Sequence, residues 1–183
     1  SSSAFAAALV NLIGRLEGHS LTHRHIAMES ILLERSIMKE AGGVQDQIAC
    51  SHGGFNQIRL NNRVGYEIDN IKIEDQALCE FESSLMLFFT GVTRNSYRNA
   101  KKHEDGLRKN YSELVEITEI TETALKVFEN NFELNEIGRL LDLSWQKKRG
   151  LNPSISSTNL DEVYNSAKSA GAIGGKLLGA GGG

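Results

Sequence analysis

The chain has 183 residues with 20 Lys and Arg against 23 Asp and Glu, a formal net charge of −3. That balance leaves no broad basic surface for nucleic acid or anionic lipid, so any polyanion has to be gripped locally. Residues 4–10 and 85–89 are the longest apolar runs, far short of a membrane span, so the expectation is a soluble protein with neither a membrane nor a nucleic-acid partner.

Residues 1–12, SSSAFAAALVNL, join three hydroxyls to strong helix formers and predict a buried helix with N-cap chemistry at its start. Residues 21–39 hold Ile26, Ile31, Leu32, Leu33, Ile37 and Met38 at three- and four-residue spacing, a second helix running into Gly42 and Gly43. A turn is expected at residues 42–47. From residue 55 to 73 the period shortens to two, with Asn61 and Asn62 between the runs, which predicts an antiparallel hairpin. Residues 85–90 predict a compact buried strand. Helices follow over residues 95–128, 134–149 and 159–170, the first weakened by β-branched ITEIT and the second broken by Asn152-Pro153-Ser154. Strands and helices that do not strictly alternate indicate an α+β protein with helices packed on an antiparallel sheet. Cys50 and Cys79 lie far apart without C-x-x-C spacing, and no secretory leader is visible, which points to reduced thiols and a cytoplasmic location. Seven of the 18 glycines fall in the last thirteen residues, and the chain opens on Ser1-Ser2-Ser3 without methionine. Both ends read as cut.

Three places carry chemistry. The serines at a helix N-terminus are either simple caps or a seat for phosphate and its metal ion, because that end holds unpaired N–H groups and partial positive charge. The tail GAIGGKLLGAGGG opens backbone N–H groups to an anion, with the Lys176 charge among them. It is not a P-loop, since Leu177 follows the lysine, and its alternative reading is a flexible linker. The third place is Gly42-Gly43-Val44-Gln45-Asp46-Gln47, where one carboxylate between two amides suits a base aimed at a hydroxyl, or merely a capped turn. Glu34, on the preceding helix, is placed to help a serine hydroxyl hold magnesium. Thr90 and Arg94 offer a hydroxyl and a guanidinium suited to sugar or phosphate. His19, His23 and His25 show no metal spacing and read as a solvated edge.

In their order, these segments resemble the GHMP kinase superfamily. SSSAFAAALVNL is similar to the end of that superfamily's phosphate loop, GGVQDQIACSHGGFN to the stretch bearing its catalytic aspartate, and the glycine tail to its third motif. The combination of GGVQDQ, TGVTR and SWQKK is most similar to the branch acting on D-glycero-D-manno-heptose 7-phosphate. The resemblance implies a two-domain fold lacking its N-terminal strands, with residues 1–83 in the ATP-binding domain and 84–183 in a ferredoxin-like C-terminal domain. It also implies ATP and Mg2+ as cofactors and a sugar phosphate as acceptor, phosphorylated on its anomeric hydroxyl; a homodimer is compatible.

By the same resemblance Asp46 is the catalytic carboxylate, Ser1, Ser2 and Ser3 lie by the ATP phosphates, and Ser2 with Glu34 ligates the metal. Gly43, Gln45, Gln47, Thr90, Arg94, Gly174, Gly175, Lys176 and Gly179 are the expected substrate contacts. A fucokinase-like or galactokinase-like enzyme and a non-catalytic sugar-binding or nucleotide-binding protein are the competing readings. Absent strands would leave apolar sheet faces uncovered, so poor solubility is expected of the isolated chain.

Overall fold

The computed structural model describes residues 2–40, 42–61, 65–91, 110–179 and 181–182. They form two compact units, residues 1–71 and 72–183. The sequence reading drew a domain boundary at 83/84.

In the first unit, helix α1 spans Ser2–Leu16. It is not buried all round, as the sequence suggested. Only a stripe of small residues, Ser3, Ala6, Ala7 and Gly14, faces inward, while Phe5 and Leu16 remain 71% and 78% exposed. The cause is close approach: a Cβ on Gly14 would meet Leu21 Cδ1 at 2.6 Å, so larger side chains can only point outward. Thr22 caps α2 (His23–Ile31) by accepting the His25 N–H at 3.2 Å. The helix then widens into a π-helical turn, Leu32–Ile37, where the Met38 N–H reaches back five residues to the Leu33 carbonyl at 2.9 Å. Helix α3 is Gln45–His52, so residues 42–44 of the segment expected as a turn stay outside a helix and residues 45–47 open one. Its buried positions Gln47, Ile48 and Ser51 recur with helical spacing, a pattern too short to stand out beside two glycines.

The predicted hairpin is present. Strand β1 (Asn56–Asn61) pairs antiparallel with β2 (Gly65–Asn70), with Ile58 opposite Ile68 and Leu60 opposite Tyr66. Ala27, Ile48 and Tyr66 form the core of the unit, and Ile31, Val44, Ile58 and Ile68 pack on it.

The second unit is helical where described: α4 (Asp75–Ser83), α5 (Tyr111–Asn130), α6 (Leu134–Gly150) and α7 (Thr158–Ser169). The Phe81 ring meets Phe128 edge-on at 5.1 Å, tying α4 to α5. Residues 111–130 are helical through the ITEIT stretch, so packing overrides β-branched propensity there. The part of that predicted helix before residue 110 lies outside the described residues.

Residues 85–90 do not form the expected buried strand. Met86, Leu87 and Phe89 are 78%, 86% and 89% exposed, and among the described residues the hairpin is the only ladder. Among the described residues this run has no partner strand to build a ladder with, so composition alone misled. Exposed apolar side chains lie on α1 (Phe5, Leu16), on this segment, and on the sheet at Leu60 of β1, 56% exposed. The α+β class holds, with one two-stranded sheet described. Cys50 and Cys79 are free thiols.

Candidate functional site

The buried polar centre of the first unit is Glu34, only 2% exposed inside the π-helical turn. A carboxylate so placed is costly unless donors meet it. Two do, and both meet the same oxygen. Ser3 Oγ donates to Oε2 at 2.8 Å from the first turn of α1, and Gln47 Nε2 donates to it from the first turn of α3. Ser3 and Gln47 are themselves 6% and 5% exposed. Glu34 Oε1 and Gln47 Oε1 are buried without a protein partner.

The helix start, the glycine turn and the preceding helix, separate candidates in the sequence, are therefore one cluster. Ser2 is exposed at the start of α1, and it is Ser3 that bonds Glu34. Ser1 lies outside the described residues. Asp46 precedes Gln47 on α3 and is exposed, at the helix end that favours negative charge. Gly43 and Gln45 are exposed beside it.

The cluster suits a divalent cation as far as it goes. Its open atoms are hard oxygens, the donor type that Mg2+ takes, and Mg2+ commonly uses one or two carboxylates and completes its shell with water and substrate phosphate. Among the described residues no group of three or more His, Cys, Asp and Glu side chains assembles a full cage.

A second polar cluster escaped the sequence reading. Tyr66, 1% exposed, has its hydroxyl 2.8 Å from His52 Nε2. Arg24 lies over the Tyr66 ring at 4.6 Å and donates to the Tyr66 carbonyl at 3.2 Å. His23 is exposed on the first turn of α2, as expected of a solvated edge, and its ring also stands edge-on to His52 at 5.7 Å. Desolvation, then the charges of His23 and Arg24, lowers the His52 pKa; burial raises that of Tyr66. Tyr66 sits on a strand and its partners on two helices, so no sequence spacing links them.

In the second unit the glycine segment is packed rather than a free linker. Gly174 lies directly on α6, where a Cβ would come 2.0 Å from the Gly138 carbonyl oxygen. Lys148 Nζ donates to the Leu177 and Gly179 carbonyls at 3.2 and 2.7 Å, and Lys168 Nζ to the Ile173 carbonyl at 2.5 Å. Gly182 N–H bonds the Ile155 carbonyl at 2.8 Å. Partial desolvation lowers the pKa of Lys176. A Cβ added at Gly175 would meet the Tyr164 ring at 3.8 Å. Thr90 is half-buried, and Arg94 lies outside the described residues. No described helix is long and apolar enough to cross a membrane.

Residues 1–54 match the model of the GHMP kinases N terminal domain, and residues 124–183 that of the GHMP kinases C terminal domain. The D-glycero-alpha-D-manno-heptose 7-phosphate kinase of Campylobacter jejuni is 29% identical over 160 residues, 86% of this chain and 47% of that protein. A mevalonate kinase of Thermococcus onnurineus is 28% identical over all of this chain and 53% of its own length. Among solved structures, L. major mevalonate kinase in complex with R-mevalonate superposes with a TM-score of 0.71 at 17% identity, over 99% of this chain and 54% of that one. A D-glycero-D-manno-heptose 1-phosphate kinase from Bacteriodes thetaiotaomicron gives 0.64 at 23%, over 99% and 50%. The chain spans about half the length of these two sequence relatives.

Proposed function

This chain belongs to the GHMP kinase family, and from that membership we propose that it carries the acid–base and metal-holding groups of an ATP-dependent sugar-phosphate kinase. The acceptor in this reading is D-glycero-D-manno-heptose 7-phosphate, by analogy with the Campylobacter relative. The observation that carries it is Glu34, buried between Ser3 and Gln47, with Asp46 the next residue before Gln47.

The acceptor hydroxyl oxygen bonds the γ-phosphorus of ATP, the bond from that phosphorus to the bridging oxygen breaks, and ADP leaves. Asp46 takes the hydroxyl proton as the new bond forms. Glu34 with Ser2 or Ser3 holds Mg2+, which when bound neutralises phosphate charge. The N-terminus of α1 adds its partial positive charge. Phosphoryl transfer is mostly positioning and charge stabilisation, so this set of groups is sufficient for the phosphate side. Gly43, Gln45, Thr90, Arg94, Gly174, Gly175, Lys176 and Gly179 are proposed contacts for the acceptor's hydroxyl and phosphate groups.

The test is Asp46→Asn. Turnover should fall by about 10²–10⁴ while ATP binding is retained, because loss of a general base acts on the chemical step. Near-normal turnover would remove Asp46 from the reaction. A second reading is a mevalonate acceptor, favoured by the archaeal relatives that align with the whole chain. ATP consumption measured over heptose 7-phosphate, fucose, galactose and mevalonate separates the two.

A further inference from the structure

Gln47 is the residue the proposed mechanism leaves without a task beside the acceptor, yet it is among the most constrained in the cluster. It is 5% exposed, and its Nε2–H is committed to Glu34 Oε2. That bond fixes the amide, because the reversed orientation would set its oxygen against a carboxylate oxygen. Ser3 Oγ–H occupies Oε2 as well, at 2.8 Å.

The outcome is lopsided. Both donors meet one carboxylate oxygen, while Glu34 Oε1 and Gln47 Oε1 stay buried with no protein donor. Buried acceptors of this kind are rare in folded proteins. Each shares its Cδ with an atom of the same hydrogen bond, so the two belong to one locality. Glu34 makes no ion pair among the described residues. Two acceptors, one charged and one neutral, both hard oxygens, are the complement of a divalent cation rather than of a further side chain.

We propose that Gln47 is a positioning residue for the cation of Glu34: its Nε2 turns the carboxylate so that Oε1 is free, and its own Oε1 faces the ion, directly or through one water. The inference rests on the reading of Glu34 as a cation ligand and adds a neutral oxygen that neither the serines nor the carboxylates supply. Outer partners that orient a metal ligand typically control affinity 10- to 100-fold.

Mn2+ serves as the probe, followed by loss of its free-ion EPR signal and by its effect on the melting temperature, with and without ADP. Wild type should bind and be stabilised, and Glu34→Gln should lose both responses. Gln47→Leu should bind about 10- to 100-fold more weakly. Gln47→Glu sets a second carboxylate against Glu34, so it should melt below wild type without the ion and gain more from Mn2+ than wild type does. This variant decides the matter if Gln47→Leu fails to fold. If Glu34→Gln loses Mn2+ while both Gln47 variants respond like wild type, the role of Gln47 is wrong and the kinase reading stands. If Glu34→Gln binds like wild type, or wild type binds no Mn2+ even with ADP, the reading of Glu34 falls and this inference with it.

Discussion

Replacing Gly174 with alanine sets a methyl group against the backbone of α6. Its Cβ would lie 2.0 Å from the Gly138 carbonyl oxygen, 2.8 Å from the Asp142 nitrogen and 3.0 Å from the Gly138 carbonyl carbon. Carbon and oxygen rest no closer than about 3.3 Å even in favourable C–H···O contacts, so the first overlap exceeds about 1 Å. Helix backbone cannot rotate aside as a side chain can, so the segment has to lift, straining the carbonyl bonds that Lys148 and Lys168 make to it. Overpacking of this kind costs about 1–3 kcal/mol. For a chain of this size that lowers the melting temperature by about 2–12 °C. Gly175→Ala is the control: its only neighbour is Tyr164 Cε2 at 3.8 Å, an ordinary contact, and its effect should stay within about 0.5 kcal/mol. Gly138→Ala would meet the Ile173 side chain, with Cγ2 at 2.7 Å, so Ile173→Ala should relieve part of its cost. Thermal unfolding followed by circular dichroism, with limited proteolysis scored over residues 172–179, reads all of these. Equal melting and equal cleavage of Gly174→Ala and Gly175→Ala would refute the packed-loop account and restore the flexible linker.

Stability should also depend on pH through His52, whose imidazole is held below the ordinary 6.5 by desolvation first and then by His23 and Arg24. Well above 6.5 the ring is neutral folded and unfolded alike and its contribution is complete; as pH falls through that value the unfolded chain takes the proton first, so melting temperature should drop as pH is lowered through about 6.5. His52→Gln should flatten that part of the profile, and an unchanged slope would exclude His52 as its source. Tyr164→Phe removes a buried hydroxyl that has no protein partner, so calorimetry should show neutral to slightly raised stability, against a loss of about 1 kcal/mol had the hydroxyl been bonded. Glu34→Gln without divalent cation should be stabilising by about 1 kcal/mol, since its oxygen can accept from Ser3 and Gln47 while its amide relieves a bare buried acceptor; a clear drop in melting temperature would mean the carboxylate serves the fold.

The helices and the hairpin were legible because their signals are local: Thr158–Ser169 and Leu134–Gly150 fall within about a residue of their expected ends, and the strand period located the hairpin but not its register, since Asn61, expected between the runs, pairs with Gly65 inside the ladder. Residues 85–90 were misread because a buried strand and an exposed apolar segment have the same composition; only a partner strand tells them apart. Among the candidate site residues, Glu34 and Gln47 were visible singly as polar residues beside a glycine turn. Their bond was not, since it joins residues thirteen apart through a π-helical turn that no periodicity announces. Choosing Ser3 over Ser2 as the partner of Glu34 depends on which face of α1 turns inward, and the small residues Ala6, Ala7 and Gly14 carry that information once they are taken as a stripe.

In the proposed mechanism Glu34 and Asp46, two chemically identical groups, are given different work. Both are carboxylates, twelve positions apart, and both open onto short helical segments, yet one is 2% exposed with two donors on a single oxygen and the other faces solvent at a helix start. A buried acid held by two donors is fixed in place, which suits holding a metal ion. An exposed acid at a helix N-terminus pays little desolvation and can meet an arriving hydroxyl, which suits taking a proton. Gln47 makes the division physical: it follows the exposed carboxylate in the chain and bonds the buried one across thirteen residues. A shift of the first turn of α3 would therefore displace both carboxylates together, so in the proposed mechanism the metal-holding and proton-accepting groups are positioned by one helix rather than tuned separately.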